Sequence, residues 1–203
     1  HLSAVKNNGF HCCSLLVSPS PEGEGQGGVS THSTSPSPVG EGRGGVSGGV
    51  SGGVSGGVLF FPGSFDPFTL GHADLVRRAL PMCSELIIGV GYNEQKTGWM
   101  PVDERVATLQ RLYADEPRVR IVSYSGLTGD AAREVGAQYI LRGLRSVKDY
   151  EYELHMADVN RQLSGIDNLI LFSSPEYAAI SSSVVRELAH FGHDISPYLP
   201  QVD

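Results

Sequence analysis

The sequence predicts a doubly wound, five-stranded parallel α/β sheet of strand order 3-2-1-4-5. Two observations carry that prediction. From residue 58 onward, short apolar runs alternate with amphipathic stretches of helical period. The residues that carry chemistry all fall just after the apolar runs, where a parallel sheet gathers its strand ends on one rim.

The elements follow in order. Strand one is 58–61 and helix one is about 73–83. Strand two is 86–90. Helix two, about 103–113, has Pro101 just ahead and Asp103 and Glu104 in its first turn, where acids suit the helix dipole. Strand three is 119–123, and helix three, about 130–135, is ended by Gly136. Strand four is 139–141 and helix four is about 148–163. Strand five is 169–172. Helix five, 182–191, has serines in front and Gly192 behind.

Residues 1–57 stand apart from this pattern. Ser18-Pro19-Ser20-Pro21 opens a Gly-rich run to Ser30 that recurs, with two changes, from Ser35 to Ser47. Ser-Gly-Gly-Val then repeats in tandem up to Val58. Such a segment cannot bury enough apolar surface to offset its ordering entropy, so a disordered tail is expected. Its regularity suggests a start site set upstream of the protein proper, which leaves 58–203 as the folded domain. The chain opens on His1 rather than Met, so the true N-terminus is expected to be missing.

The whole chain has 203 residues, a formal net charge of −7 and three cysteines. The acidic balance argues against a nucleic-acid partner. No window is apolar over the roughly 18 residues that a membrane span needs. Cys12 and Cys13 are adjacent and Cys83 reads as a small apolar residue, so no disulfide framework is expected. A reduced, cytoplasmic protein is the expectation.

The stretch Phe61-Pro62-Gly63-Ser64-Phe65-Asp66-Pro67-Phe68-Thr69-Leu70-Gly71-His72 is the loop from strand one to helix one. Gly63 lets the backbone approach an anion, Ser64 adds a hydroxyl, and His72 stands in the first helical turn, where unpaired N–H groups favour negative charge. On the same rim lie Lys96 after strand two, Thr128 after strand three, and Arg142-Gly143-Leu144-Arg145 after strand four. Ile180-Ser181-Ser182-Ser183 follows strand five. Two readings stand for several of these. Arg142 and Arg145 suit phosphate oxygens or, alternatively, ion pairs with Asp149, Glu151 or Glu153. Ser181-Ser182-Ser183 suits helix capping or a second anion site. Lys96 suits a ligand or a solvated surface. The histidines show no metal-ligand spacing, so no structural metal is expected.

No cysteine nucleophile, catalytic triad or Walker loop is present. A set of cationic and hydroxyl donors remains. It suits attack by a phosphate on the α-phosphorus of a nucleoside triphosphate, because a phosphate monoester with a second pKa of about 6 needs no general base. The protein has only to align the partners and neutralise charge on the transferring group.

Pro62-Gly63-Ser64-Phe65-Asp66-Pro67 with Thr69-Leu70-Gly71-His72 resembles the first signature of the nucleotidyltransferases carrying a His/Thr-x-Gly-His motif. Asp103-Glu104-Arg105-Val106, Arg142-Gly143-Leu144-Arg145 with Asp149 to Glu153, and Ile180 to Ser183 with Arg186 make 58–200 similar to the bacterial phosphopantetheine adenylyltransferases. The resemblance implies a Rossmann-like fold and transfer of AMP from ATP to 4′-phosphopantetheine, with Mg²⁺. It also implies a homohexamer and feedback by coenzyme A. It implies that His72 stabilises the transition state and that Ser64 touches both substrates. Lys96, Thr128 and Arg142 would hold phosphopantetheine, with Lys96 and Ser64 also catalytic. Phe65, Gly143, Leu144, Arg145, Glu153, Tyr177, Ala178, Ala179, Ile180, Ser181, Ser182 and Ser183 would line ATP. Ser64 stands where the family more often has threonine, and Thr97-Gly98-Trp99 replaces a more basic, proline-containing loop. Two rival readings are a same-fold nucleotidyltransferase with another phosphate acceptor and a non-catalytic nucleotide-binding regulator.

Overall fold

A computed structural model describes residues 56–201. The expected disordered tail lies outside these residues except for its last two. The carbonyls of Gly56 and Gly57 both accept from the Ser84 N–H, at 3.0 and 3.2 Å. Those glycines therefore belong with the domain rather than with the repeats. A chain beginning at Ser55 is expected to melt with the full-length protein. One beginning at Val58 loses this tie and should melt lower by about 2–4 °C, which thermal unfolding would read.

The elements are β1 (Val58–Gly63), α1 (Leu70–Ala79), β2 (Glu85–Tyr92), α2 (Val102–Leu112), β3 (Val119–Ser125), α3 (Thr128–Glu134), β4 (Tyr139–Leu144), α4 (Val147–Ser164), β5 (Asp167–Phe172) and α5 (Ser182–His190). Short 3-10 turns occupy Leu80–Met82, Pro175–Tyr177 and Ser196–Tyr198. The sheet order is β3-β2-β1-β4-β5 and every pairing is parallel, as the alternation of strands and helices requires.

Alternation along the strands sorts the core into two layers. Leu59 and Phe61 of β1, Leu86, Ile88 and Val90 of β2 and Leu141 of β4 share one face with Leu75, Val76 and Ala79 of α1 and Leu109 of α2. Phe60, Ile87 and Ile140 join Ala131 and Ala132 of α3 in the other layer. Each large side chain buried in this way contributes roughly 1.5–3 kcal/mol. Strands apolar on both faces are what a sheet covered by helices on both sides demands.

Three boundaries differ from the sequence expectation in ways that bear on function. β4 runs three residues beyond 141, because Arg142, Gly143 and Leu144 pair with Ile170, Leu171 and Phe172 of β5. Glycine is a poor strand former, so the sequence ends that strand early. A Cβ at Gly143 would lie 2.4 Å from Leu75 Cδ1, so the glycine is what lets α1 sit directly on the strand. α1 begins at Leu70 rather than 73, which makes His72 its third residue. α3 begins at Thr128, so that threonine is helical rather than part of the loop. Gly136 and Gly192 end their helices at φ +75° and +77°, the left-handed conformation expected of them.

β1 and β4 are neighbours whose chains then leave in opposite directions along the sheet order, so the crevice lies beyond Gly63 and Leu144.

Candidate functional site

His72 is fixed by its own helix start. Its Nδ1 accepts from the Thr69 N–H at 3.0 Å and lies 3.0 Å from Thr69 Oγ1. An Nδ1 that accepts places the ring proton on Nε2, which leaves Nε2–H as a donor. The imidazole stacks on Phe68 with centroids 5.3 Å apart and meets Phe65 edge-on at 5.2 Å. Burial, with the Arg145 charge adding to it, lowers the His72 pKa to about 4. The ring is therefore neutral near pH 7. Between pH 6.5 and about 4 the unfolded chain binds a proton at this residue that the folded chain refuses. Stability contributed by neutral His72 is thus complete above pH 6.5 and declines as pH falls toward 4. Denaturation at stepped pH should show a shallower acid decline for His72→Gln than for wild type.

Two arginines stand where β4 meets α4, and both have carboxylate partners. Arg142 forks onto Glu153, with Nε donating at 2.6 Å and Nη2 donating to the other oxygen, while Nη1 reaches Pro62 O at 3.4 Å. Glu153 is 6% exposed. Arg145 is more exposed and pairs with Asp149 at 3.3 Å, a weaker surface pair. Asp149 also accepts from the Arg145 backbone N–H. Of the two readings for these arginines, the ion pairs are present, Arg142 with Glu153 and Arg145 with Asp149. Leu144 is buried, and its carbonyl accepts from Ser173 N–H at 2.7 Å.

Of the two readings for the serines leading into α5, helix capping is present, and the hydroxyls of Ser181 and Ser183 act here as acceptors. Ser181 Oγ accepts from Val184 N–H as the helix cap. Ser182 Oγ donates to Pro67 O at 2.8 Å, and Ser183 Oγ accepts from Arg186. The Ser182 bond holds the 177–183 segment against the opening loop. A Cβ at Gly71 would lie 3.6 Å from Tyr177 Cβ and 3.7 Å from the Ile180 carbonyl. Ala178 and Ala179 form the turn between them. The backbone of this segment, rather than its hydroxyls, borders the start of α1.

Phe65 has φ +47°, a conformation that costs a bulky residue of order 1–3 kcal/mol and is held by packing on Phe61 and Phe68. The whole residue, backbone included, is 2% exposed. The space expected to be open at Gly63 is filled by the Phe65 ring, 2.8 Å from where a Cβ would stand. Ser64 is half-buried and its carbonyl accepts from Arg105 Nη1 at 2.6 Å. Thr128 Oγ1 lies 3.1 Å from Tyr124 Oη. Lys96 is exposed on a turn closed by its N–H on Asn93 O. Among the described residues neither Lys96 nor Thr128 is hydrogen-bonded to His72.

Several residues that hold the site were missed by sequence reasoning. Arg105 is 7% exposed and ties Ser64 O to Gly91 O. Its spacing of four from Leu109 placed it on the apolar face of helix two, a signal that was there to use. Asp66 is buried and accepts from two backbone N–H groups of the loop that carries Lys96. Asp74 accepts from Arg77, Arg78 and Ser174. Burial pushes its carboxyl up, and hydrogen bonds from Ser174, Arg77 and Arg78 outweigh that, so its pKa is lowered. It ties α1 to the loop after β5.

A family model described as cytidylyltransferase-like matches residues 60–188. The phosphopantetheine adenylyltransferase of Phocaeicola vulgatus is 51% identical over 141 residues, covering 70% of this chain and 93% of that protein. Those of Bacteroides fragilis and Lachnoclostridium phytofermentans are 49% and 46% identical, with 94% and 86% of their lengths covered. Among solved structures, a bifunctional NMN adenylyltransferase/ADP ribose pyrophosphatase from Francisella tularensis superposes with a TM-score of 0.57 at 16% identity. That match covers 72% of this chain and 46% of the other, and it bears on the fold alone.

Proposed function

Because the chain belongs to the cytidylyltransferase-like family, and within it to the phosphopantetheine adenylyltransferases, we infer that it is a nucleotidyltransferase that transfers AMP from ATP to 4′-phosphopantetheine. The products are dephospho-coenzyme A and pyrophosphate, a step of coenzyme A synthesis. The observation that carries the reading is His72, held neutral with Nε2–H as donor at the start of α1.

In this reading the acceptor phosphate attacks the α-phosphorus of ATP and pyrophosphate leaves. His72 Nε2–H donates to an α-phosphate oxygen as charge builds there. Arg142, oriented by Glu153, and Lys96 draw in the acceptor phosphate. Ser64 touches both substrates, and Thr128 lines the acceptor arm. Phe65, Gly143, Leu144, Arg145 and the 177–183 backbone border ATP, the last from its place against Gly71.

Among the described residues no three His, Cys, Asp or Glu side chains are grouped to hold a metal ion. Mg²⁺ is read, from the family resemblance, as part of the substrate MgATP. Coenzyme A shares the phosphopantetheine arm of the acceptor, which supports feedback at the same site. A homohexamer is supported by the family resemblance, and half-exposed Tyr150 and Leu154 on α4 are apolar surface that such an assembly would cover. Sedimentation would measure it. No helix of the described residues is long and apolar enough to cross a membrane. A cytoplasmic setting is assigned from the family reading.

Release of pyrophosphate with ATP and 4′-phosphopantetheine is the direct test. Release with a different phosphate acceptor in a panel, and none with this one, would favour the same-fold rival. Binding of ATP without any turnover would favour the non-catalytic regulator.

A further inference from the structure

Asp66 is the side chain on which two loops of the site meet. It is 7% exposed. Its Oδ2 accepts from the Trp99 N–H and its Oδ1 from the Met100 N–H, both at 2.8 Å. Those donors end the stretch between β2 and α2 that carries Lys96. The backbone carbonyl of Asp66 accepts from Arg186 of α5 at 2.5 Å. Arg105, in the first turn of α2, separately joins the opening loop to the end of β2 through Ser64 O at 2.6 Å and Gly91 O at 3.4 Å. Lys96 is itself exposed, and among the described residues its side chain makes no hydrogen bond or ion pair. Its position is therefore inherited from the ends of its loop.

We propose that Asp66 is a positioning residue for Lys96. By docking the 93–100 loop onto the opening loop, it presents the ammonium group to the acceptor phosphate. The chemistry favours a carboxylate at this point. Two converging N–H donors need two acceptor oxygens, and charge strengthens both bonds. An amide offers only one oxygen, and its NH₂ would face an N–H. The proposal rests on the reading above in assigning Lys96 to the acceptor.

Trp99 is the chain's one tryptophan, is half-exposed, and is itself one of the two donors, so its emission reports docking without any substrate. In Asp66→Asn its emission should shift to longer wavelength and be quenched more by acrylamide. In the same variant the KM for phosphopantetheine should rise about tenfold while the KM for ATP stays within about twofold of wild type. In a Lys96→Ala background, Asp66→Asn should add little further, because both changes remove one interaction.

Gly98→Ala approaches the same junction from an exposed loop position and leaves the buried carboxylate in place. Its Cβ would lie 3.0 Å from Met100 O and 3.2 Å from Asp66 Oδ2, so it should give the same pattern more weakly, even if Asp66→Asn fails to fold. Unchanged Trp99 emission in both variants overturns the proposal. So does an equal rise in both KM values, or effects of Asp66→Asn and Lys96→Ala that multiply in full. A wild-type chain inactive with ATP and phosphopantetheine overturns the functional reading instead, and Trp99 emission still decides the docking.

Discussion

His72→Ala is expected to bind ATP nearly as wild type does and to turn over about 10²–10³ times more slowly, a loss of roughly 3–4 kcal/mol of transition-state stabilisation. The expectation follows from the proton on the ring. Nδ1 is occupied by the Thr69 N–H, so only Nε2 carries a hydrogen. A pKa lowered to about 4 makes the imidazole a weak base and keeps it uncharged. The attacking phosphate has no proton that must be removed. The ring is thus suited to donate to an oxygen whose charge grows in the transition state, and it adds little to ground-state binding. Phe65 and Phe68 hold it in advance, so no reorganisation is needed when charge develops. His72→Gln and His72→Asn keep an N–H donor and should recover part of the rate where the shorter amide reaches. Turnover numbers and ATP dissociation constants decide the matter. An Ala variant within about threefold of wild-type turnover, with chemistry limiting, would remove His72 from the mechanism.

Much of this was legible in the sequence because it is local. Strand one is an apolar run, its loop is dense with turn residues, and the helix after it is periodic, so the position of His72 could be counted off. The parallel, doubly wound sheet followed from the alternation, and with it the single rim on which the site lies. What escaped is set by pairs distant in the chain. Whether β4 stops at 141 or continues depends on β5, not on the Arg142-Gly143 sequence itself. Ser182 spends its hydroxyl on Pro67, 115 residues away, and Asp66 reaches the Trp99 and Met100 amides 33 and 34 residues on. Neither bond leaves a periodic trace. Arg105 is the intermediate case. Its place on an apolar helical face marked it as buried, but the carbonyls it satisfies belong to the opening loop and to the end of β2.

Arg142→Ala should raise the KM for phosphopantetheine far more than that for ATP, and it should also destabilise the fold. The two effects have separate causes. The guanidinium forks onto Glu153, whose side chain is 8% exposed against 20% for Arg142. Removing the arginine leaves a carboxylate with little solvent and no counter-charge, a change that costs about 3–5 kcal/mol at fully buried pairs and less here, where the arginine is partly wet. Adding Glu153→Gln removes the stranded charge. The double variant should therefore regain most of the lost melting temperature while acceptor use stays poor, because the phosphate still lacks its fork. Arg142→Lys separates charge from geometry. It keeps the positive charge beside Glu153 but cannot bind two oxygens in one plane, so it should be stable and intermediate in acceptor KM. Thermal melts and KM values for both substrates across these variants give the answer. If the double variant recovered normal acceptor use, Arg142 would be a structural partner of Glu153 and nothing more. If ATP affinity collapsed in Arg142→Ala while the acceptor was unaffected, its place at the switch point would serve the nucleotide instead.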